Sequence, residues 1–350
     1  MMDFEKIPKI DLHRHMDGDI NPKVLLEIAR KDKVDLPYKN PADLDQFFKS
    51  LLQKGLADLF VDGFGLTTSL SQTAENLELI AFEEIRNLKK DGIIYAELRF
   101  APQYHCQGEQ IYYRQLNVKS ERLSYREVIA AVAKGLKRGY QEFGVPTNLI
   151  VCIGREVEPK KGMEIAEAAI KSQDLGVVAI DLACDETNFP ALRHADAYKL
   201  TFGSKIKRTI HAGESGTQKA RNMYAAIECL QADRIGHAIP LVDMPKLTEI
   251  IARREIGVEM CPLSNLITGA IDCLGELGIN ELLKQKILVT INSDDPRMFG
   301  YTLSDSFLYS SRFYRFGKKE IKTLLLNAVQ TAFCNADLKQ TLEKKILKYF

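Results

Sequence analysis

The sequence predicts an α/β protein built as a (β/α)8 TIM barrel. Short apolar or β-branched runs recur along the chain, and longer stretches of helical period separate them. Eight such runs can be counted, and eight parallel strands suggest a closed barrel. Barrels with insertions commonly reach 350 residues as one unit, so residues 1–350 are expected to form a single domain.

Taken in order, the first run is Ile7 to His15. Asn21-Pro22 then sets a capping residue before a proline at a first helical position, ahead of Val24 to Ala29. More than seventy residues separate the first strand from the second, far more than one crossover helix needs. Residues 37–90, with helical periods at Leu44 to Leu52 and Thr73 to Lys89, are expected to be an inserted set of helices over the barrel mouth. The second strand runs Gly92 to Phe100, and Ser124 opens the next helix at Tyr125. Strands at Asn148 to Gly154, Val177 to Ala183, Lys207 to Gly213, Arg234 to Ile239, Gly257 to Cys261 and Ile287 to Asn292 follow. Helices are expected between them at Met163 to Lys171, Lys219 to Leu230, Pro245 to Arg253 and Glu281 to Gln285. Leu303 to Phe316 and Lys319 to Phe350 read as closing helices at the C-terminus.

Composition narrows the class of function. Basic and acidic residues number 48 and 47, a net charge of +1, which lacks the electrostatic footprint of a phosphate-backbone binder; no nucleic-acid partner is expected. The N-terminus carries no signal-peptide pattern and no run approaches the length needed to span a bilayer, so a cytoplasmic protein without membrane contact is expected. The seven cysteines include no C-x-x-C pair, which removes the zinc-deaminase design based on H-x-E with P-C-x-x-C. Reduced, mostly buried thiols are expected. Oligomeric state is not legible.

Four of only six histidines sit at the carboxyl ends of expected strands: His13, His15, His211 and His237. In a parallel barrel those ends and the loops after them supply the catalytic groups, so residues far apart in sequence would converge. His13 and His15, two apart, point to the same face of one strand. An H-x-H pair alone is weak, since six randomly placed histidines produce one in about one sequence in ten. His211-Ala212-Gly213-Glu214 alone reads as an ordinary turn, and Asp294-Asp295-Pro296 alone as a solvated turn or helix cap. Together, each of these ordinary readings would have to place a polar group at the same end of the same barrel. Three imidazoles and one carboxylate suit a catalytic Zn²⁺, one per chain, and His13, His15, His211 and Asp294 fill those places. Glu214, His237 and Asp295 would then face a substrate.

The fragments Pro8 to Gly18, Tyr95 to Pro102, Ile180 to Glu186, His211 to Glu214, Arg234 to His237, Cys261 to Asn265, Thr268-Gly269 and Asn292 to Pro296, in this order, resemble the adenosine deaminase family of metal-dependent barrel hydrolases. The resemblance covers nearly the whole chain. It implies that His13, His15, His211 and Asp294 bind zinc, with His15 also beside the substrate. It implies that Glu214 donates a proton to N1 of the purine and that His237 positions or deprotonates the attacking water. Asp295 is implied to bond N7, and Asp17 the ribose 5′-hydroxyl. A glycine amide near N3 in that family is replaced here by Cys184, whose side chain crowds the base pocket. The implied ligand is a small purine nucleoside, adenosine or 2′-deoxyadenosine, converted to inosine or 2′-deoxyinosine and ammonia. Adenine, methylthioadenosine, aminodeoxyfutalosine and N6-methyl-adenylate are the alternatives. Asn292 to Pro296 followed by Phe299-Gly300 resembles the adenine enzymes, whereas Asp17, Asp181-Leu182-Ala183 and Ser264 to Gly269 resemble the adenosine enzymes.

Two rival classes also fit part of the pattern. A two-metal amidohydrolase would bridge its ions with a carboxylated lysine, and no lysine stands at an expected strand end in line with the four ligands. A non-catalytic nucleoside-binding barrel would be expected to have lost a ligand or Glu214, and all are present.

Overall fold

The computed structural model describes residues 2–106 and 116–350. Eight parallel strands lie side by side in chain order: β1 Lys9–His15, β2 Ile93–Phe100, β3 Thr147–Gly154, β4 Val177–Ala183, β5 Lys207–Ala212, β6 Arg234–His237, β7 Gly257–Met260 and β8 Leu288–Ile291. The last strand meets the first through residues just past its end. The His15 N–H donates to the Asp294 carbonyl (2.9 Å), and the Asp294 N–H donates to the His13 carbonyl (2.8 Å). The Leu12 N–H donates to Asn292 Oδ1 (3.0 Å), which completes the seam. The expected (β/α)8 barrel is therefore the observed one.

β6, β7 and β8 are shorter than the runs that suggested them, and the chain turns sharply just past β6 and β8. His237, Ala238 and Asp294 adopt left-handed backbone angles (φ 63°, 49° and 65°), as does Cys184 after β4 (φ 75°). Each such turn costs a non-glycine residue about 1–2 kcal/mol and aims a side chain that a continuing strand would point elsewhere.

The helices start where their caps dictate. Asn21 accepts from the Lys23 N–H to open Pro22–Lys31, and Ser124 and Glu127 form a reciprocal cap on Tyr125–Phe143. The segment expected as one insertion at 37–90 divides in two. Ala74–Lys90 packs along Tyr125–Phe143 on the outside of the barrel and leads directly into β2. Their contact requires Gly135, where a Cβ would lie 2.2 Å from the Glu78 carbonyl oxygen. It is thus the regular crossover helix, and its apolar stripe faces the barrel wall. Pro41–Lys54 packs instead against Pro296–Phe299, just past β8, and against a π-helical turn at Leu59–Phe64 that leads into Gly65–Leu70. The Phe64 ring and Asp295 Oδ1 crowd Gly18 so closely that a Cβ there would lie 2.8 and 2.1 Å from them.

The C-terminal stretch expected as closing helix is two helices, Lys318–Thr331 and Ala336–Tyr349. Between them Phe333 stacks on the Arg234 guanidinium, 3.6 Å from its ring centroid, and caps the lower end of the barrel axis. No helix among the described residues is long and apolar enough to cross a membrane.

Candidate metal centre and catalytic pocket

Parallel strands covered by helices are usually apolar on both faces. Here every second residue of several strands is polar: Asp11, His13 and His15 on β1, Tyr95, Glu97 and Arg99 on β2, Thr209 and His211 on β5. Period-two alternation turns each set the same way, and their mutual contacts show that the shared direction is the barrel axis. The axis is therefore a column of hydrogen-bonded ions, and its upper end is a cluster of imidazoles.

His13 Nε2 lies 3.0 Å from His211 Nε2, and His15 Nε2 lies 3.1 Å from the same atom. Asp294 Oδ1 is 3.3 Å from His13 Nε2 and 3.4 Å from His15 Nε2. His13, His211, His237 and Asp294 are all buried, and so nearly is His15.

The hydrogen-bond chemistry of this cluster asks for a cation. His13 Nδ1 is 2.8 Å from Glu259 Oε2, and His211 Nδ1 is 2.9 Å from Asp181 Oδ2. A carboxylate only accepts, so each Nδ1 carries a proton and each neutral ring presents a bare lone pair at Nε2. Two lone pairs 3.0 Å apart repel unless positive charge sits between them. Ligands about 2.05 Å from a tetrahedral ion stand about 3.3 Å from one another, close to the four separations given above, and His237 stands with His13, His211 and Asp294 in one group able to hold an ion. Burial holds His15 down to about 3 and His211 down to about 4, so both rings are neutral and ready to ligate. Burial and Arg99 also press His13 downward, but Asp294 and Glu259 outweigh them and raise it, which reports the negative charge these carboxylates bring to the cluster.

Beneath the imidazoles a second layer fixes their tautomers. Arg99 donates to Asp181 and to Glu259, each at 2.8 Å. Glu259 also accepts from Thr209 (2.9 Å) and from Arg234, which in turn binds Glu97. Burial alone would raise both carboxyls, yet Arg99 and Arg234 hold Glu259, and His211 and Arg99 hold Asp181, well below the usual carboxylate range. Ser264 donates to Asp294 Oδ2 at 2.6 Å, fixing the fourth group. Glu259→Gln is expected to weaken metal affinity by about 10- to 100-fold, because the His13 tautomer loses its anchor. It is also expected to destabilise the fold by about 3–5 kcal/mol, because Arg99 and Arg234 lose a buried counter-charge. Isothermal metal titration and urea unfolding read the two effects separately.

On the open side stand the groups expected to face a substrate. His237 is fully buried, with Nδ1 2.9 Å from Asn265 Nδ2. Its Nε2 has no partner and lies 3.6 Å from Glu214 Oε2 and 3.9 Å from Asp294 Oδ2. Burial raises the Glu214 carboxyl above its ordinary range, against the pull of His237. Burial, and then the neighbouring Asp294 and Asp17, raise Asp295 far more, and Asp295 Oδ1 has no partner. Asp17 accepts from the Ala101 N–H through Oδ2 (2.9 Å), leaving Oδ1 buried and unpartnered. The Cys184 sulfur lies 3.4 Å from the Tyr104 hydroxyl.

Several residues of this arrangement carried no assigned role in the sequence: Glu97, Arg99, Asp181, Glu186, Arg234, Glu259, Ser264 and Asn265. Charged residues alternating within apolar strands were the available signal for the axial ones. Glu186 could not be found that way, since it acts through the backbone. Its carboxylate accepts from the N–H groups of Gly213, Glu214 and Ser215 (2.8, 2.8 and 3.1 Å), which pins the turn that aims Glu214. A surface cleft of about 1290 Å³ lies at the opposite end, lined by Asn148, Lys207, Asp233 and Phe333 among others. That face of a barrel serves stability, and the cleft holds none of the imidazoles.

A family model described as adenosine deaminase matches residues 8–349. The adenosine deaminase of Clostridium acetobutylicum is 31% identical over 342 residues, covering 97% of each chain. Among solved structures, an adenine deaminase from Arthrobacter aurescens superposes with a TM-score of 0.84 at 23% identity, covering 98% of this chain and 99% of that one. An amidohydrolase from Burkholderia ambifaria with bound Zn also gives 0.84, at 22% identity, over 99% of this chain and 91% of that one. At such identities these structures are likenesses of fold.

Proposed function

Because the chain belongs to the adenosine deaminase family, whose members are hydrolases of C–N bonds, we propose that it converts adenosine and 2′-deoxyadenosine to inosine and 2′-deoxyinosine with release of ammonia. The observation that carries this reading is the meeting of three Nε2 atoms and one carboxylate oxygen beside Glu214, whose carboxyl desolvation raises from its ordinary value.

His13, His15, His211 and Asp294 would hold one zinc ion per chain. When bound, the ion supplies Lewis acidity that makes water a nucleophile near neutral pH. His237 Nε2, with no protein partner, hydrogen-bonds the attacking water and aims it at C6. As the water oxygen bonds to C6, electron density moves onto N1, and the raised Glu214 carboxyl delivers a proton there. His237 takes one proton of the water and passes it to the 6-amino group; the C6–N bond breaks, the C6 hydroxyl gives its remaining proton to the Glu214 carboxylate, and ammonia departs to leave the 6-oxo purine. N7 offers only a lone pair, so its partner must donate. Asp295, whose carboxyl burial and then Asp294 and Asp17 raise well above its ordinary range, is suited to that when protonated. Asp17 Oδ1 accepts the sugar 5′-hydroxyl. The backbone N–H of Cys184, presented by its left-handed turn, serves N3.

Ultraviolet spectra of purified protein incubated with adenosine, adenine, methylthioadenosine or N6-methyl-adenylate test the reading. Adenosine is expected to be converted with the highest kcat/KM. Preferential conversion of adenine would favour the alternative, a deaminase of the free base.

A further inference from the structure

Besides His237 Nε2 and Asp295 Oδ1, three side-chain atoms at the mouth are shielded from solvent and meet no partner among the described residues: Asp17 Oδ1, His105 Nε2 and Glu156 Oε2. All three stand against one turn, Ala101 to Cys106, which follows β2. The Ala101 N–H takes the other Asp17 oxygen. The Tyr104 hydroxyl donates to Glu156 Oε1 and lies 3.4 Å from the Cys184 sulfur. His105, 1% exposed, shares a hydrogen with Ser71 Oγ through Nδ1 (2.8 Å), and its Nε2 is 3.8 Å from Asp17 Oδ2. In each residue one polar atom is anchored to the fold and the other is left over.

A buried polar atom without a partner is costly, so three of them beside a pocket call for an occupant that brings polar groups. Two of the residues are carboxylates, and the third is an imidazole whose Nδ1 also faces the Ser71 carbonyl (3.2 Å), so that Nδ1 carries the proton and Nε2 accepts. Hydroxyl groups satisfy such a set, because each can donate to a carboxylate or to that nitrogen. A free base has no hydroxyl to offer. A phosphate brings acceptors and negative charge towards Asp17 and Glu156, where both are unfavourable.

We propose that Glu156 and His105, beside Asp17, form a hydroxyl-binding subsite for the sugar of a nucleoside, and that this subsite selects nucleosides over free bases and nucleoside 5′-phosphates. The proposal rests on the nucleoside reading above. Cys184 belongs to the subsite's wall through its contact with Tyr104. Glu156 and His105 act on binding and have no part in proton transfer at the purine.

The test compares kcat/KM for adenosine, 2′,3′-dideoxyadenosine and adenosine 5′-monophosphate in the wild type, Glu156→Ala, Glu156→Gln and His105→Ala. The wild type is expected to favour adenosine over the dideoxy compound by about 10- to 100-fold, the loss given by hydrogen bonds to a charged group. Glu156→Ala should bring that ratio close to one, chiefly through KM, and His105→Ala should lower it. Glu156→Gln, still able to accept a hydroxyl but uncharged, should keep part of the ratio and accept the monophosphate better. A purely structural Glu156 would slow both nucleosides together and leave the ratio unchanged, which would overturn the proposal. Equal wild-type kcat/KM for the two nucleosides would remove the subsite alone and needs no variant. Conversion of adenine with neither nucleoside turned over would remove the nucleoside reading and the subsite with it.

Discussion

Glu214→Gln is expected to lower kcat by about a thousand-fold while metal content stays at the wild-type level. The side chain keeps its volume, and the turn that carries it is held by backbone bonds to Glu186, so the pocket should not rearrange. What is lost is a carboxyl that burial keeps protonated above its ordinary range. An amide cannot pass a proton to N1, and proton transfer by a positioned group contributes about 10²- to 10⁴-fold. The sign with pH follows from the same shift. A raised carboxyl holds its proton to a higher pH, so wild-type activity is expected to fall as pH rises through the Glu214 pKa, and the variant should lose that limb. Elemental analysis and a pH–rate profile check both parts. Near-normal turnover would remove Glu214 from the acid role.

His211→Ala is expected to abolish activity by a different route, through loss of metal. His211 Nε2 is the atom that both His13 and His15 approach, at 3.0 and 3.1 Å, so its removal opens the shell and not merely its edge. Displacing a partner that only orients a ligand already costs about 10- to 100-fold in affinity, and loss of the ligand itself should exceed that. Asp181 loses its imidazole but keeps Arg99 at 2.8 Å, so the variant is expected to fold. After dialysis it should contain far less than one zinc per chain, with activity at background. Full metal content by elemental analysis would contradict the ligand assignment.

How much of this was legible in the sequence follows from the physics of each part. Strand runs ending in His15, His211 and His237 were readable because a buried strand is a continuous apolar run and a histidine at its end is conspicuous. Left-handed turns at Cys184, His237 and Asp294 were not, since no glycine marks them; tertiary contacts impose them, and the one at His237 ends β6. Ala74–Lys90 was readable as a helix, but its place was not. Whether an amphipathic stripe faces the barrel wall or the mouth depends on a neighbour, here Tyr125–Phe143 pressed onto Gly135. The ionic column of Glu97, Arg99, Asp181, Arg234 and Glu259 left a trace as charged residues within apolar strands, yet its pairings join strands far apart in sequence. Glu156 and His105 left none, because an unpartnered atom becomes visible only once all its possible partners have been placed.

The account depends most on side chains from β1, β5 and the turn after β8 gripping one ion in common. Anomalous diffraction at the zinc absorption edge, on crystals grown with zinc, tests this directly. One peak per chain is expected, about 2 Å from the Nε2 atoms of His13, His15 and His211 and from a carboxylate oxygen of Asp294. A well-ordered pocket with no peak among those four groups, or with the ion seated elsewhere, would contradict it.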